Sequence, residues 1–350
     1  MPDILRKVKS NVNILKILLP VLSFMPPLFI LYSLYSWSFE QTYHGRTFLL
    51  FFLWLVALEI ILSWEKLQKT KVNKLGSIRT VLFIIALLLP TIYVILANYY
   101  GLNAIIMDLA NQFISPLGLD ETEKYLSARQ ISWSTEYLVF AALLCLIILI
   151  AYGINILVDF SISTFFSGII GVLFIMDNLY PGARLTPLQI FVPATATLAA
   201  NVLSLMGYQT SMFFITYPVY GYMPYLKASD PKNPLRHAEF GIAWPCAGVD
   251  SLLIYTVTIL LFLKETSIPW KHRILYFVIG AVVTYFINIL RIVSIFLISM
   301  DYGYRSPQAA QFHNFYGMLY SITWIISYPL IIIGSRALWG KIGKWKTSKT

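Results

Sequence analysis

Long apolar runs are the feature that most constrains this chain. A helix that crosses a bilayer needs about 20 mostly apolar residues, and seven segments of the sequence provide them. The segments are about 14–35, 47–63, 79–100, 135–158, 160–176, 275–298 and 315–334. Only 12% of the 350 residues are charged, against about 25% in average soluble domains. The sequence therefore predicts an integral membrane protein.

The basic residues predict the topology. Most of the 26 Lys and Arg residues lie beside apolar runs, in the stretches 6–16, 66–79, 264–273 and 336–349. Because Lys and Arg concentrate in cytoplasmic loops, these stretches and both termini are predicted to be cytoplasmic. The formal charge of +10 then reflects topology, and no nucleic-acid partner is expected. Two termini on the same side require an even number of spans.

Two further apolar runs decide the count. Residues 246–263 are short but strongly apolar, whereas 187–207 is rich in Ala and Thr and contains two prolines. Treating 187–207 as re-entrant or interfacial gives eight spans. Irregular backbone at membrane depth is tolerated where it lines a cavity or is buried in protein, so a hollow is expected near this segment. The predicted fold class is all-α, a polytopic bundle of about eight spans in the plasma membrane.

A small external cap is expected at residues 208–245. This region is rich in Tyr, Phe and Pro, and turn signals separate its short β-prone runs, a pattern typical of a hairpin. The cap belongs to a long predicted external region from about 177 to 245, and the other predicted external segments are 36–46, the acidic stretch 101–134 and the loop 299–314.

Arg291 is the first candidate for function, because an ionisable residue inside a span is costly to insert and is usually functional. Apolar residues flank it on both sides, and Asn288 lies three positions earlier on the same helical face. The eight-span topology places Arg291 in the outer half of its span. An arginine that snorkels to headgroups, or ties two helices together through carbonyl groups, is the structural alternative.

Cys246 is a candidate nucleophile. It follows Pro245 and opens an apolar run, a pattern typical of a helix N-terminus. Free N–H groups and the helix dipole there favour a thiolate, and the small residues Ala247 and Gly248 leave room for a substrate backbone. A small buried hydrophobe is the alternative reading. That reading fits Cys145, which lies in mid-span. Two cysteines are too few for a disulfide framework or a zinc site, and no metal or cofactor is predicted.

His313, just before the last span, is a candidate base, since the ordinary pKa of histidine suits proton transfer. An interfacial histidine is the alternative, and His237 is a competing external base. The predicted topology places Cys246, Arg291 and His313 toward the outer face on three consecutive spans. A nucleophile, a charge stabiliser and a base are the minimum set for covalent catalysis.

Three motifs occur in an order and spacing found together in one family. They are Cys246-Ala247-Gly248, Asn288-Ile289-Leu290-Arg291 and His313-Asn314-Phe315-Tyr316-Gly317. In this arrangement the chain resembles the exosortase/archaeosortase family of membrane-embedded cysteine transpeptidases. The resemblance covers about 160–335 and includes the PLQ element at 187–189 and the Leu-x-x-x-Gly element at 203–207. The last position is His in bacterial exosortases and Arg in some archaeal members.

The resemblance implies an enzyme that recognises a C-terminal sorting signal on exported proteins. Such a signal comprises a short motif, one transmembrane helix and a basic cluster. The enzyme cuts near the motif and transfers the new C-terminus to an acceptor, expected to be a membrane lipid. Cys246 would be the nucleophile that forms a thioester, Arg291 the stabiliser of the thiolate or oxyanion, and His313 the base. Gly248 and Asn288 would support them, and no metal or cofactor is implied.

The predicted organisation is a single integral membrane domain, 1–350. It would consist of N-terminal spans in 1–159, a catalytic core in 160–335 and a basic cytoplasmic tail in 336–350. Glu59 and Asp159 are candidate cytoplasmic contacts for the basic cluster of the substrate. The oligomeric state is left open.

Two other functions remain open at this stage. In a transporter or channel, Arg291 would bind an anionic substrate near the midplane, but such folds are expected to show repeated halves with matching broken helices. In a membrane glycosyl- or acyltransferase, residues 208–245 would bind the donor and Cys246 would be incidental.

Overall fold

The computed structural model describes residues 14–40, 44–69, 78–179, 190–217, 221–264, 266 and 268–347. The chain divides into two compact units, Met1–Tyr180 and Pro181–Thr350. The predicted grouping into 1–159, 160–335 and 336–350 within one domain stays a prediction. The PLQ element at 187–189 and the basic residues of 6–13 and 70–77 lie outside the described residues.

The first unit is helical. Its elements are α1 (Ile14–Glu40, with a turn at 23–24), α2 (Thr47–Leu62), α3 (Trp64–Lys69), α4 (Ile78–Tyr99), α5 (Leu102–Ile114), α6 (Glu121–Tyr152) and α7 (Ser161–Leu179). Helix α6 packs against α4, α5 and α7. It begins well before the predicted span at 135, because the Asp120 side chain accepts a hydrogen bond from the Glu123 N–H at 2.7 Å and so caps the first turn.

A buried ion pair and a buried histidine–carboxylate hydrogen bond hold the first unit together. Arg46 donates two hydrogen bonds to the Glu136 carboxylate, at 2.6 and 2.7 Å, and both side chains are fully buried. His44 pairs with Asp177 at 2.8 Å. Removing one partner of a buried pair leaves an uncompensated charge, which typically costs about 3–5 kcal/mol. These groups are therefore committed to the fold of this unit.

Glu59 and Asp159, the predicted contacts for a basic substrate tail, also make interactions within the first unit. Glu59 is 1% exposed and accepts hydrogen bonds from the N–H groups of Ile162 and Ser163, at 3.0 and 3.1 Å. Asp159 pairs with Lys66 at 2.9 Å. Glu59 thus satisfies free N–H groups at the start of α7, a structural task that the sequence interpretation did not foresee.

The second unit combines helices with a small sheet. Its elements are α8 (Phe191–Leu205), β1 (Gln209–Tyr217), β2 (Gly221–Asp230), β3 (Asn233–Gly241), α9 (Val249–Lys264), α10 (Trp270–Tyr302), α11 (Pro307–Gln311) and α12 (Gly317–Thr347). Helix α10 contacts α8, α9, α12 and β3. The long helix therefore organises this unit.

The region expected to form a hairpin is a three-stranded antiparallel sheet in the order β1-β2-β3. In register, Gln209 faces Ser229 across the first pair, and Tyr225 faces Gly241 across the second. One sheet face is buried against α8 and α10 through Leu226, Ala228 and Ala238. The fold is thus mainly helical, and the all-α prediction is corrected by this sheet.

Five helices among the described residues are long and apolar enough to cross a membrane: Ile14–Glu40, Ile78–Tyr99, Glu121–Tyr152, Ile154–Leu179 and Trp270–Tyr302. The count of eight is not confirmed. Helix α8 has 15 residues, about 22 Å at 1.5 Å per residue, against a hydrocarbon core of about 30 Å. Helices α2 and α9 have 16 residues each, so length alone does not separate re-entrant from spanning segments.

Arg236 on β3 links the sheet to the end of α10. Its Nε donates to Asp301 Oδ1 at 2.6 Å, and its Nη1 donates to Asp230 Oδ2 at 3.0 Å. The backbone N–H of Lys232, then the Arg236 side chain, hold the pKa of Asp230 below its ordinary value of 3.8. A carboxylate with a lowered pKa stabilises the fold above its unfolded pKa, and this contribution is lost as the pH falls through the folded value.

Acidification below about pH 4 is therefore expected to loosen the β2–β3 turn, since protonated Asp230 no longer pairs with Arg236. Hydrogen exchange of the amides of 230–236 between pH 6 and pH 3, corrected for intrinsic rates, measures this change. In Asp230→Asn this acid-dependent step should disappear. Glu239→Gln, which removes a surface pair with Lys227 on the same sheet, is the matched control and should keep it. An unchanged acid step in Asp230→Asn would contradict the assignment.

Candidate active site

Cys246 lies in a short 3₁₀ turn, Trp244–Ala247, that precedes α9. Its N–H donates to the Ala243 carbonyl at 3.0 Å. The thiol residue is partly buried and packs on the apolar cluster formed by α8, the sheet and α10. The predicted helix N-terminus is therefore close by but not at Cys246 itself: α9 begins at Val249, after Gly248 has turned the chain at a φ of 85°.

Asn288 on α10 fixes this turn from the side. Its Nδ2 donates to the main-chain oxygen of Cys246 at 2.8 Å, and the side chain is fully buried. A Cβ on Gly248 would lie 2.8 Å from Asn288 Cγ, closer than real contacts allow. Gly248 is thus required twice, by its positive φ and by the approach of Asn288.

Arg291 joins the last motif to the same place. Its Nη2 donates to the main-chain oxygen of His313 at 2.9 Å. His313 lies in a π-helical turn, Phe312–Tyr316, between α11 and α12, and π-turns are frequent at functional sites. The imidazole is half-buried. The contact that brings residue 313 to Arg291 is made by its carbonyl, so the role of the imidazole as base stays a prediction.

Two residues of the cluster were not singled out as site residues from the sequence. Asp250, in the first turn of α9, interacts electrostatically with both Arg291 and Cys246. Gly317 permits the close approach of α12, because a Cβ there would lie 2.7 Å from Arg291 Nε. In the sequence, Asp250 could have been noticed as an acidic residue four positions after the thiol, and Gly317 as the glycine that ends the last motif.

The guanidinium of Arg291 is the electrostatic centre of the site. It interacts with the side chains of Cys246 and Asp250, while its Nη2 is bonded to the main chain of residue 313. Two buried polar atoms here, Arg291 Nε and Asn288 Oδ1, have no hydrogen-bond partner among the described residues. Such atoms are few in native proteins. The site around Cys246 therefore contains one hydrogen-bond donor and one acceptor that are not used within the described residues.

The other candidates lie elsewhere. His237 is exposed on β3, opposite Ser229. Cys145 lies in α6 of the first unit, where its Sγ contacts Thr164 Oγ1 at 3.7 Å. Within the described ranges, no group of three or more His, Cys, Asp or Glu side chains is arranged to hold a metal ion.

Replacing Gly248 by alanine is expected to lower activity roughly tenfold to hundredfold, because the new Cβ would push against Asn288 and displace the Cys246 turn. Backbone strain at positive φ adds about 1–3 kcal/mol. Gly207→Ala is the matched control, since Gly207 has a φ of 94° but open space around its Cβ position. Turnover and thermal unfolding of both variants separate the two effects. Equal activity losses in Gly248→Ala and Gly207→Ala would show that the contact of residue 248 with Asn288 does not matter for activity.

The family model described as transmembrane exosortase matches residues 37–328, which is most of the chain and includes all of the site residues described above. The protein belongs to the transmembrane exosortase family. Membership supports a membrane transpeptidase that processes exported proteins bearing sorting signals. No curated protein and no solved structure matches the chain.

Proposed function

We propose that this protein is a sortase-like cysteine transpeptidase that cleaves the C-terminal sorting signal of exported proteins and transfers the new C-terminus to a membrane lipid. The carrying observation is the convergence on Arg291, which bonds to residue 313 and interacts with Cys246. Three separate elements thus supply a thiol, a fixed cation and an imidazole-bearing turn. That combination suits acyl transfer through a thioester.

The first half-reaction forms the acyl-enzyme. The Cys246 thiol gives its proton to the His313 imidazole, and the sulfur attacks the carbonyl carbon of the scissile peptide bond. Arg291 stabilises the oxyanion of the tetrahedral intermediate, a role in which a single donor contributes about 10²–10³-fold. The C–N bond then breaks, and the imidazolium returns its proton to the leaving amine. The product is a thioester on Cys246 and a released tail.

The second half-reaction consumes the thioester. An amine or hydroxyl group of a lipid headgroup attacks the thioester carbonyl and loses its proton to His313, and the carbon–sulfur bond breaks to regenerate the thiol. Partial burial of Cys246 in an apolar cluster supports transfer over hydrolysis, since limited access of bulk water disfavours the competing attack.

The proposed topology has eight spans, both termini in the cytoplasm and the active site at the external face of the plasma membrane. Single cysteines introduced into a Cys145→Ala, Cys246→Ala background test it with an impermeant maleimide on intact cells. Lys232→Cys, in the exposed β2–β3 turn, should label from outside. Lys271→Cys, exposed at the start of α10, should label only after permeabilisation. The reverse pattern would place the site in the cytoplasm.

The function itself is tested with an exported reporter that carries a candidate tail from a protein of the same host. Intact mass spectrometry of the membrane fraction should show loss of the tail and a mass increase equal to the acceptor. A free C-terminal carboxylate would identify a protease rather than a transpeptidase. Unchanged mass for every tail-bearing protein of the host would overturn the proposal.

A further inference from the structure

A cavity lies at the opposite end of α10 from the active site. Helix α10 begins at Trp270, and Arg291 is 21 residues further on, about 32 Å along the helix axis. The cavity has a volume of about 650 Å³ and is lined by Pro269, His272, Leu275, Tyr276, Ser335 and Arg336. A volume of this size is within the range of small-ligand sites, about 300–1,000 Å³. Apart from Pro269, which directly precedes α10, the lining comes from α10 and α12, so the cavity is separate from the thiol site.

The polar side of the cavity is basic. His272 and Arg336 extend from different helices, and both are exposed. The stretches 264–273 and 336–349 contain many Lys and Arg residues but one acidic residue, Glu265. Arg273 is already engaged, because its guanidinium donates to the carbonyls of Ile268 and Thr266, at 2.7 and 2.6 Å. Arg273 is thus not available to a ligand, and Arg336 gives the cavity a positive charge that an anion would complement.

The neighbouring surface is apolar. Trp270 is 66% exposed, Ile274 52% and Leu338 61%, and Leu275 lines the cavity itself. Exposed apolar side chains beside basic residues, at the end of long apolar helices, are typical of the boundary between hydrocarbon and headgroups. The cavity therefore lies where one molecule can place a charged group against the bases and a chain against the apolar belt.

We propose that this cavity binds the headgroup of an anionic phospholipid, in the leaflet at the start of α10, which is cytoplasmic in the proposed topology. Arg336 and His272 would hydrogen-bond the phosphate oxygens, and the glycerol and first acyl carbons would lie on Leu275 and Trp270. Basic pockets between transmembrane helices recognise anionic headgroups in this way. The assignment does not depend on the transpeptidase reaction.

Titration of the full-length detergent-solubilised protein with short-chain phosphatidylglycerol and short-chain phosphatidylcholine, followed by tryptophan fluorescence, tests the proposal. Phosphatidylglycerol should bind more tightly. Arg336→Gln should weaken its binding roughly fivefold, the change that about 1 kcal/mol per Lys or Arg represents, and His272→Gln, which removes a hydrogen-bond partner of the phosphate, should weaken it less. Arg336→Lys should retain the preference. Lys232→Gln, the same charge change on the sheet turn, should leave binding unchanged.

Three results would overturn the proposal. The first is equal affinity for the two lipids, and the second is a loss in Lys232→Gln as large as that in Arg336→Gln. The third is competition by inorganic phosphate at the same concentration as the lipid, which would identify a free-anion site. Unfolding temperatures of the variants, measured without lipid, show whether a binding loss reflects the site or the fold.

Discussion

Replacing Cys246 by alanine is expected to abolish removal of the sorting-signal tail, with a rate loss of roughly 10⁴-fold or more, as for other enzymes that lose their nucleophile. Without the sulfur no thioester forms, and the remaining groups can only bind and polarise the substrate. Asn288 bonds to the main-chain oxygen of residue 246, so the alanine variant keeps the contact that holds the turn. The loss should therefore be chemical and not structural. Reporter mass, measured in cells that express each variant, is the readout.

Cys145→Ala is the matched control, because it removes the other thiol of the chain and should process the reporter at the normal rate. Cys246→Ser should retain little activity, since a hydroxyl is a much weaker nucleophile than a thiolate at neutral pH. A mass adduct on the wild-type protein, equal to the acyl part of the reporter and released by hydroxylamine, would demonstrate the thioester. Normal processing by Cys246→Ala would remove the thiol from the mechanism.

The same variant separates the enzyme from the transporter or channel alternative. In that alternative Arg291 binds an anionic substrate, and Cys246 is a small packing residue whose change to alanine is tolerated. In the structure Arg291 donates to the His313 carbonyl and interacts electrostatically with Cys246. An alanine variant that processes nothing but unfolds at the normal temperature would leave the transporter alternative without support. In a glycosyl- or acyltransferase with an incidental cysteine, the Cys246→Ala change should likewise be tolerated.

The helical framework was largely predictable from the sequence, because apolar composition and length identify membrane helices without tertiary information. The helices over 47–62, 78–99 and 161–179 begin and end within a few residues of the predicted segments. Helix starts in polar segments were harder to predict. Helix α6 begins at Glu121, capped by Asp120, although residues 121–134 carry no transmembrane signal. Helix formation there depends on capping and packing rather than on hydropathy.

The sheet and the finer parts of the site were less predictable. Two turn signals suggested a hairpin, but whether the segment after the second turn pairs with β2 depends on burial of Leu226 and Ala238 against helices far away in sequence. Asp250 and Gly317 can be recognised as site residues only once the packing of α9 and α12 places them next to Arg291. Pairs such as these are set by packing between helices, which a single sequence with short motifs does not specify.

Arg291→Gln is expected to lower the rate of tail removal roughly 10³-fold, the upper end of the range for loss of an oxyanion-stabilising group. We propose two tasks for the guanidinium. Nη2 holds the carbonyl of His313 in the π-turn, and the positive charge acts on Cys246. Glutamine removes the charge, and both the thiolate and the developing oxyanion lose their stabilisation.

Arg291→Lys separates the two tasks, because lysine keeps the charge but lacks the planar fork of donors. We expect an intermediate rate, lower than that of the wild type by roughly 10²-fold. A substrate-independent readout is the rate at which iodoacetamide alkylates Cys246 at fixed pH in a Cys145→Ala background. This rate should fall strongly in Arg291→Gln and less in Arg291→Lys, since a nearby cation favours the thiolate over the thiol.

The matched control for Arg291 is Arg305→Gln, in the exposed turn after α10, which removes one positive charge without touching the cluster. In this variant, Cys246 should be alkylated and the reporter processed at the wild-type rates. If Arg291→Gln loses turnover but alkylates normally, the residue acts on the substrate oxyanion and not on the thiol. If Arg291→Gln loses turnover and alkylation rate only in proportion to a lowered unfolding temperature, Arg291 has a structural role in holding the π-turn against α10. Its charge then has no part in the reaction.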